Sequence, residues 1–316
     1  MSNRKQINII FASDDCYAQH VAVAAASILL NAAHPDIMHF FVLEDGISVE
    51  KQSGIRTTIE NLYGQVDFVP VAGADFSSFF VSAQLSRAAY FRLAIAKLLP
   101  EHIHRVIYLD CDLLVLDDIE KLWNFDMAEL PIAAVPDCGI MASSRSRRQK
   151  KEYIGLTADS EYFNSGVLLL DIAALRREKC EENLLELVKK NNYPHHDQDA
   201  LNKLFLGRWA RLPLRWNVIP PVWFMFMKII FSSWRIEAAS ARQNPAILHY
   251  AGGYKPWEYD IHEGFNDIYY DVLKKTAFSE AKMPQFDSRK KHRSIGRQMV
   301  RLKIGDIWGN IFGKRE

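Results

Sequence analysis

No window of the 316 residues reaches the ~18 consecutive apolar positions that a membrane-crossing helix needs. The nearest stretch, "PVWFMFMKII" (221–230), is too short and carries Lys228. Cysteine is scarce. Cys16, Cys111, Cys138 and Cys180 stand far apart, in no CxxC or zinc-like spacing. That excludes a disulfide-stapled scaffold and a zinc ribbon, and makes reduced thiols in a cytoplasmic protein the expectation. Charge of one sign is also lacking: the net charge is +1, which gives no global attraction to nucleic acid. The N-terminus, "MSNRKQINIIFASDD", has too short an apolar core for a secretory signal. "ASDDCY" (12–17), which follows the first apolar run, has neither a glycine nor a basic residue. A sugar-nucleotide pyrophosphorylase would need a glycine-rich, basic loop at that place.

What is present is a chain that is 49% apolar and 12% aromatic, ample for a large core. Short apolar runs that read as strands occur at 7–11, 38–45, 65–71, 105–112, 132–137 and 162–172, with another in "PAILHY" (245–250). Between them, helix formers with apolar stripes predict helices over 18–33, 49–62, 86–100, 180–192 and 198–207. Pro100 ends the third of these. Strands alternating with helices predict an α/β fold, with helices on both faces of a sheet. In such sheets ligands lie beyond the carboxyl ends of the strands. Acidic residues collect there: "ASDDCY" follows the first strand, "DCD" (110–112) ends the fourth and Asp137 ends the fifth.

Side chains at i and i+2 of an extended chain share a side, so Asp110 and Asp112 can aim at one point. Two close carboxylates repel, and burying them unpaired is costly. A hard divalent cation resolves both problems, with Mn²⁺ or Mg²⁺ suited to oxygen ligands and a diphosphate as the usual companion. A solvated turn after a strand would look the same. A DxD phosphatase of the haloacid-dehalogenase type also opens with an apolar strand ending in two aspartates. That motif wants Thr or Val two residues after the second Asp and usually ends the first strand. Here Leu114 holds the position, after three earlier strands.

Seven stretches in order and spacing carry a resemblance: "FASDDCY" (11–17), "AAHPDI" (32–37), "YFRL" (90–93), "YLDCDLLV" (108–115), "YFNSGVLLLD" (162–171), "HHDQDALN" (195–202) and "HYAGGYKPW" (249–257). Together they resemble the retaining glycosyltransferases of family 8, most closely the bacterial lipopolysaccharide α-galactosyltransferases and α-glucosyltransferases, over roughly residues 7 to 260. The resemblance implies a GT-A fold, a Rossmann-like nucleotide-binding mixed sheet flanked by helices, in a domain spanning 1–280. It implies a UDP-galactose or UDP-glucose donor, Mn²⁺ (or Mg²⁺) as cofactor and a glycolipid or oligosaccharide acceptor. Ala12 and Asp14 match uracil and ribose contacts, and Tyr17 fits a ring stacked on the base. Cys16 falls where the lipopolysaccharide galactosyltransferases carry Asn. Arg92 matches a donor-contacting arginine. Asp110 and Asp112, with Cys111 between them, match the metal pair, and His249 the third ligand. Gly252 and Lys255 match the clasp on the diphosphate. Asn164 with Ser165, Asp197 and Gln198 match the sugar-binding and reaction-centre positions, and Asp137 lies near the donor sugar.

The residues themselves are compatible with those roles. His249 completes an O,O,N donor set with the aspartates. "AGGYKPW" (251–257) offers glycines for close backbone approach and Lys255 as a point charge for phosphate. Gln198 is a poor nucleophile, which predicts retention by front-face departure and attack rather than through a covalent glycosyl-enzyme. Asp197 or Asp199 could simply be a helix N-cap or a first-turn acid, the commoner role for such residues. Trp223, Phe224 and Phe226 are candidates for an acceptor groove, or for core. The tail, 281–316, is basic: nine Lys/Arg stand against two acidic residues from Arg289 to Glu316. Val300, Ile304, Ile307 and Ile311 fall near one helical stripe there, which suits peripheral attachment to the anionic inner face of a membrane. A flexible tail, or one packed on its own domain, fits the same residues. Besides the transferase, a non-catalytic sugar-nucleotide-binding module remains as an alternative. A complete metal set argues against it, because a pure binder has no leaving group to activate.

Overall fold

The structure is a computed structural model, and it describes residues 5–71, 91–92, 94–191, 193–253, 255–258 and 266–281. The basic tail beyond Ala281 and most of the helix expected over 86–100 lie outside the described residues. Among the described residues nine strands form: β1 (Ile7–Asp14), β2 (Met38–Asp45), β3 (Gln65–Pro70), β4 (Arg105–Leu109), β5 (Leu113–Val115), β6 (Ile132–Pro136), β7 (Phe163–Asp171), β8 (Ala210–Arg211) and β9 (Ile247–His249). Seven of them make one sheet in the order β3-β2-β1-β4-β7-β6-β8. β7 runs antiparallel to both neighbours, and the other pairs are parallel. The mixed α/β sheet is as the sequence predicts, and its layout is that of a GT-A fold.

β1 is buried along its whole length except Asp14, because both faces of the sheet are covered. Phe11 and Ile9 pack on one side with α1 (Ala18–Asn31) and α2 (Val49–Asn61). Ile10 and Ala12 pack on the other with Tyr162, Ala200 and Leu201. The long parallel register from Ile7↔Met38 to Asp14↔Asp45 brings β1 and β2 to the same edge.

Two departures from the sequence reading shape the site. The fourth strand does not run to Asp112: it stops at Leu109, and residues 110–112 form a bend. The chain then enters a separate two-stranded sheet, in which β5 pairs antiparallel with β9. The second departure is α3 (Ser144–Ile154), a helix too polar to register as an apolar stripe. The Ser143 hydroxyl accepts from the Ser146 N–H at 3.3 Å to start it, and Gly155, at φ 78°, ends it in the left-handed region. The longer helices that follow among the described residues are α4 (Ile172–Arg177), α5 (Cys180–Lys190), α6 (His196–Leu204), α7 (Arg235–Gln243) and α8 (Asn266–Leu273). No helix among the described residues is long and apolar enough to cross a membrane.

Candidate active site

The bend at 110–112 is fixed on three sides. The Asp110 N–H donates to the Gly166 carbonyl at 2.9 Å, the Cys111 thiol donates to the Ala12 carbonyl at 3.2 Å, and the Tyr250 N–H donates to the Asp112 carbonyl at 2.8 Å. Burial and the flanking carboxylates push the Cys111 thiol well above its ordinary pKa, so it stays a neutral spacer. The register Leu113↔His249 explains how a histidine so distant in sequence reaches the aspartates. Asp110, Asp112 and His249 each offer a ligand atom, and these atoms all lie within 4.8 Å of one another.

The hydrogen bonds around His249 determine its protonation pattern. Asn164 Oδ1 accepts from the Gly166 N–H at 3.0 Å and from Asn217 Nδ2 at 2.8 Å. Asn217 therefore turns its Oδ1, an acceptor only, to His249 Nδ1 at 2.9 Å. The proton sits on Nδ1, and Nε2 presents its lone pair 3.2 Å from Asp112 Oδ1 and 3.7 Å from Asp110 Oδ2. Three acceptors facing one another need a positive charge between them, either a proton or a metal ion. Gly166 leaves the room: a Cβ there would collide with the His249 ring and come within 2.7 Å of Asp110 Oδ2. The donor set and the cradle fit a divalent cation.

Two basic side chains complete the cluster. Arg92 is paired through Nη2 with Asp110 and through Nη1 with Asp197, and also donates to Tyr108 Oη at 2.8 Å and Ser165 Oγ at 2.7 Å. Its buried Nε–H has no partner among the described residues. Burial alone would lower the Arg92 pKa, but Asp110, Tyr108 and Asp197 outweigh it and hold it well above the ordinary value. Lys255 Nζ pairs with Asp112 and donates to the Tyr250 carbonyl at 2.9 Å. Burial pushes the Asp112 carboxyl up, yet the positive charge of His249 when a proton takes the shared position, together with Lys255, outweighs it and keeps the carboxyl below the usual carboxylate range.

A cleft of about 350 Å³ opens beside the aspartates, lined by Ala12, Asp14, Tyr17, Arg92, Cys111 and Asp197 among others. Asp14 accepts from the Tyr17 N–H at 3.1 Å and shapes the tight turn that carries the ring. Burial and the nearby Asp112 push the Tyr17 phenol up to about 12, so it remains neutral. The far wall is the start of α6. Gln198 Oε1 accepts from Asn164 Nδ2 and from the Ser165 N–H, each at 3.2 Å, and its Nε2 donates to Asp137 Oδ2 at 3.2 Å. His249, Asn217, Asn164, Gln198 and Asp137 thus form one chain of hydrogen bonds in which every donor points away from the histidine.

Of the residues singled out in the sequence, the structure brings together Ala12, Asp14, Tyr17, Arg92, Asp110, Cys111, Asp112, Asp137, Asn164, Ser165, Asp197, Gln198, His249 and Lys255. Cys16 is exposed and is not among the residues lining the cleft. Gly252 adopts φ 74°, the left-handed conformation that glycine supplies in the 249–257 loop, and a Cβ added there would meet nothing within 4 Å. Phe224 is buried in the core, the alternative weighed for these aromatics, while Trp223 and Phe226 are half-buried against the same core. Sequence reasoning missed Tyr108, Asn217 and the Trp257 anchor, in which His20 stacks on Trp257 with ring centroids 3.7 Å apart.

Comparison with known proteins agrees with this geometry. Residues 8–261 match glycosyl transferase family 8, and the chain belongs to that family. The match bears out the expected enzyme class. The chain is 30% identical over 280 residues to General stress protein A of Bacillus subtilis (strain 168), covering 86% of this chain and 95% of that protein. It is 27% identical over 254 residues to the lipopolysaccharide 1,2-glucosyltransferase of Escherichia coli (strain K12), covering 79% and 72%. Among solved structures it resembles the galactosyltransferase LgtC in complex with donor and acceptor sugar analogues, with a TM-score of 0.70 and 28% identity over 92% of this chain and 100% of that one.

Proposed function

We propose that the protein is a retaining hexosyltransferase that takes UDP-galactose or UDP-glucose and passes the hexose to a saccharide acceptor of the lipopolysaccharide type. The observation that carries this reading is the convergence of Asp110, Asp112 and the His249 Nε2 lone pair at the mouth of a cleft framed by Asp14 and Tyr17. Asp110, Asp112 and His249 would hold Mn²⁺, or Mg²⁺ in its place. When bound, the cation supplies charge neutralisation for a diphosphate leaving group.

The chain's own residues then divide the work. Tyr17 packs on the base and Asp14 faces the ribose. Lys255 transfers its charge from Asp112 to the diphosphate. Asp197, oriented by Arg92 and Ser165, accepts from sugar hydroxyls. Asp137 can only accept, so it turns the Gln198 amide nitrogen toward itself and leaves Oε1 on the side of Asn164 and Ser165. That oxygen is a partial negative charge suited to an oxocarbenium-like centre. Among the described residues at the reaction centre no carboxylate is free for a covalent intermediate: Asp199 is fully buried with both of its oxygens engaged, Asp197 is paired with Arg92, and Asp137 accepts from the Ile140 N–H and from Gln198 Nε2. We therefore assign front-face departure and attack, with a phosphate oxygen of the departing UDP taking the acceptor proton.

The test is UDP release from a panel of UDP-sugars, with Mn²⁺, with Mg²⁺ and with EDTA. Release from one UDP-hexose that EDTA abolishes is expected. Cation-independent release, or none from any UDP-hexose, overturns the reading.

A further inference from the structure

Behind the reaction centre lies a second acid–base cluster that the proposed chemistry does not use. Lys150 on α3 and Asp199 on α6 are 2% and 0% exposed, and they are ion-paired. Lys150 spends all three of its N–H donors inside the protein. One goes to Asp199 Oδ1, one to His195 Nδ1 at 2.8 Å, and one faces the ring of Tyr162, whose centroid is 4.6 Å from Nζ. Asp199 is equally saturated. Its Oδ1 also accepts from the Tyr162 hydroxyl at 2.7 Å, and its Oδ2 accepts from the His195 N–H at 2.9 Å. A buried pair of this kind adds little net stability over an apolar pair of the same volume, so its use has to be sought elsewhere.

The use is visible in what Asp199 holds. The His195 N–H sits immediately before the first turn of α6, a turn whose N–H groups have no intrahelical partners. Asp197 and Gln198 stand in that turn. One turn later Asn202 fastens α6 to β7, accepting from the Phe163 N–H at 2.8 Å and donating to the Phe163 carbonyl at 2.9 Å. The far end of the turn is thus tied to the sheet by Asn202, and the near end to α3 and Tyr162 by Asp199.

We propose that the Lys150–Asp199 pair is a positioning device: Lys150 compensates the buried Asp199 carboxylate, and Asp199 pins His195 so that Asp197 and Gln198 enter the reaction centre at a fixed angle. The proposal rests on the assignment of those two residues to the reaction centre. An error of about 1 Å in such groups costs on the order of a hundredfold in rate while leaving the binding of the remote nucleotide intact. A defect in this device therefore lowers kcat and spares the affinity for UDP.

The test compares two neutral double variants of the full chain, Lys150→Met/Asp199→Asn and Lys150→Met/Asp199→Leu. Neither leaves a buried charge, and both side chains at 199 keep the branched shape of Asp, Leu being the bulkier because methyl groups replace the oxygens. Only Asn keeps an oxygen for the His195 N–H. With whichever of UDP-galactose and UDP-glucose the wild type hydrolyses, the Asn form is expected within about tenfold of wild-type kcat and the Leu form roughly tenfold or more below the Asn form. The UDP dissociation constant, measured by calorimetry, stays within about threefold in both. Amide hydrogen exchange at His195, followed by NMR, accelerates by about tenfold or more in the Leu form alone. Equal kcat in the two forms, equal exchange, a parallel loss of UDP affinity or a hundredfold loss in the Asn form would each overturn the proposal. If the wild type hydrolyses neither sugar, the donor assignment fails, while the exchange comparison still decides whether Asp199 pins the helix.

Discussion

Two clusters of opposite charge lie within this fold, and they differ in how completely they are closed. Asp110 and Asp112 keep side-chain exposures of 23% and 13%, face a cleft, and gather more acceptors than their neighbours can satisfy. Lys150 and Asp199 are sealed, and every donor and acceptor is used. The first cluster has spare coordination that a ligand can take up. The second has none, so it can only hold other parts in place. Satisfaction of hydrogen-bonding capacity, more than burial or charge, separates a site that binds from a site that supports.

The comparison breaks most directly at the open cluster. Asp112→Asn is expected to lower cation-dependent UDP release by roughly a thousandfold, with the urea midpoint little changed. A large loss of stability instead would mean that this cluster, too, is structural. At the closed cluster the converse holds. Lys150→Met alone strands a buried carboxylate and is expected to cost about 3–5 kcal/mol in urea unfolding.

His20 sharpens the contrast, because it is buried beside a hydroxyl rather than an opposite charge. Its Nδ1 lies 2.7 Å from Tyr269 Oη, and burial lowers its pKa to about 4 from 6.5. The unfolded chain then binds the proton more tightly, so stability falls as pH drops from 6.5 toward 4. The loss is about 3 kcal/mol, and His20→Gln should remove that part of the pH slope in unfolding measured at successive pH values. The smallest expected effect is at Asn217, which sets the His249 tautomer. Asn217→Ala is expected to weaken cation binding by about 10–100-fold in direct titration, without changing the fold.

Much of this was legible in the sequence, for reasons that particular residues make clear. β2 was readable from end to end because "MHFFVLED" is a buried run bounded by turn formers. Asp110, Asp112 and Asp137 could be singled out because ligands of an α/β sheet lie beyond the carboxyl ends of its strands, although Asp137 also caps a short helix by accepting from the Ile140 N–H at 3.0 Å. The break after Leu109 was not readable: Leu113 to Val115 are as apolar as the strand before them, and only the pairing with β9 moves them to another sheet. Asn217 carries no pattern of its own. It reaches His249 because the Val218 N–H donates to the Ile247 carbonyl at 2.8 Å, a contact between distant segments. Lys150 was hidden by its surroundings. In "SRSRRQKKEYI" it is one basic residue among several, and only packing of α3 on α6 sets it apart.

The passage of the chain from the large sheet to the small one has a consequence for mechanics. Asp110 follows the last residue of β4, whereas Asp112 immediately precedes β5 and His249 ends β9, so anything that grips all three bolts one sheet to the other. Thermal unfolding with Mn²⁺ should then be steeper as well as later than without it, and Asp112→Asn should lose both gains.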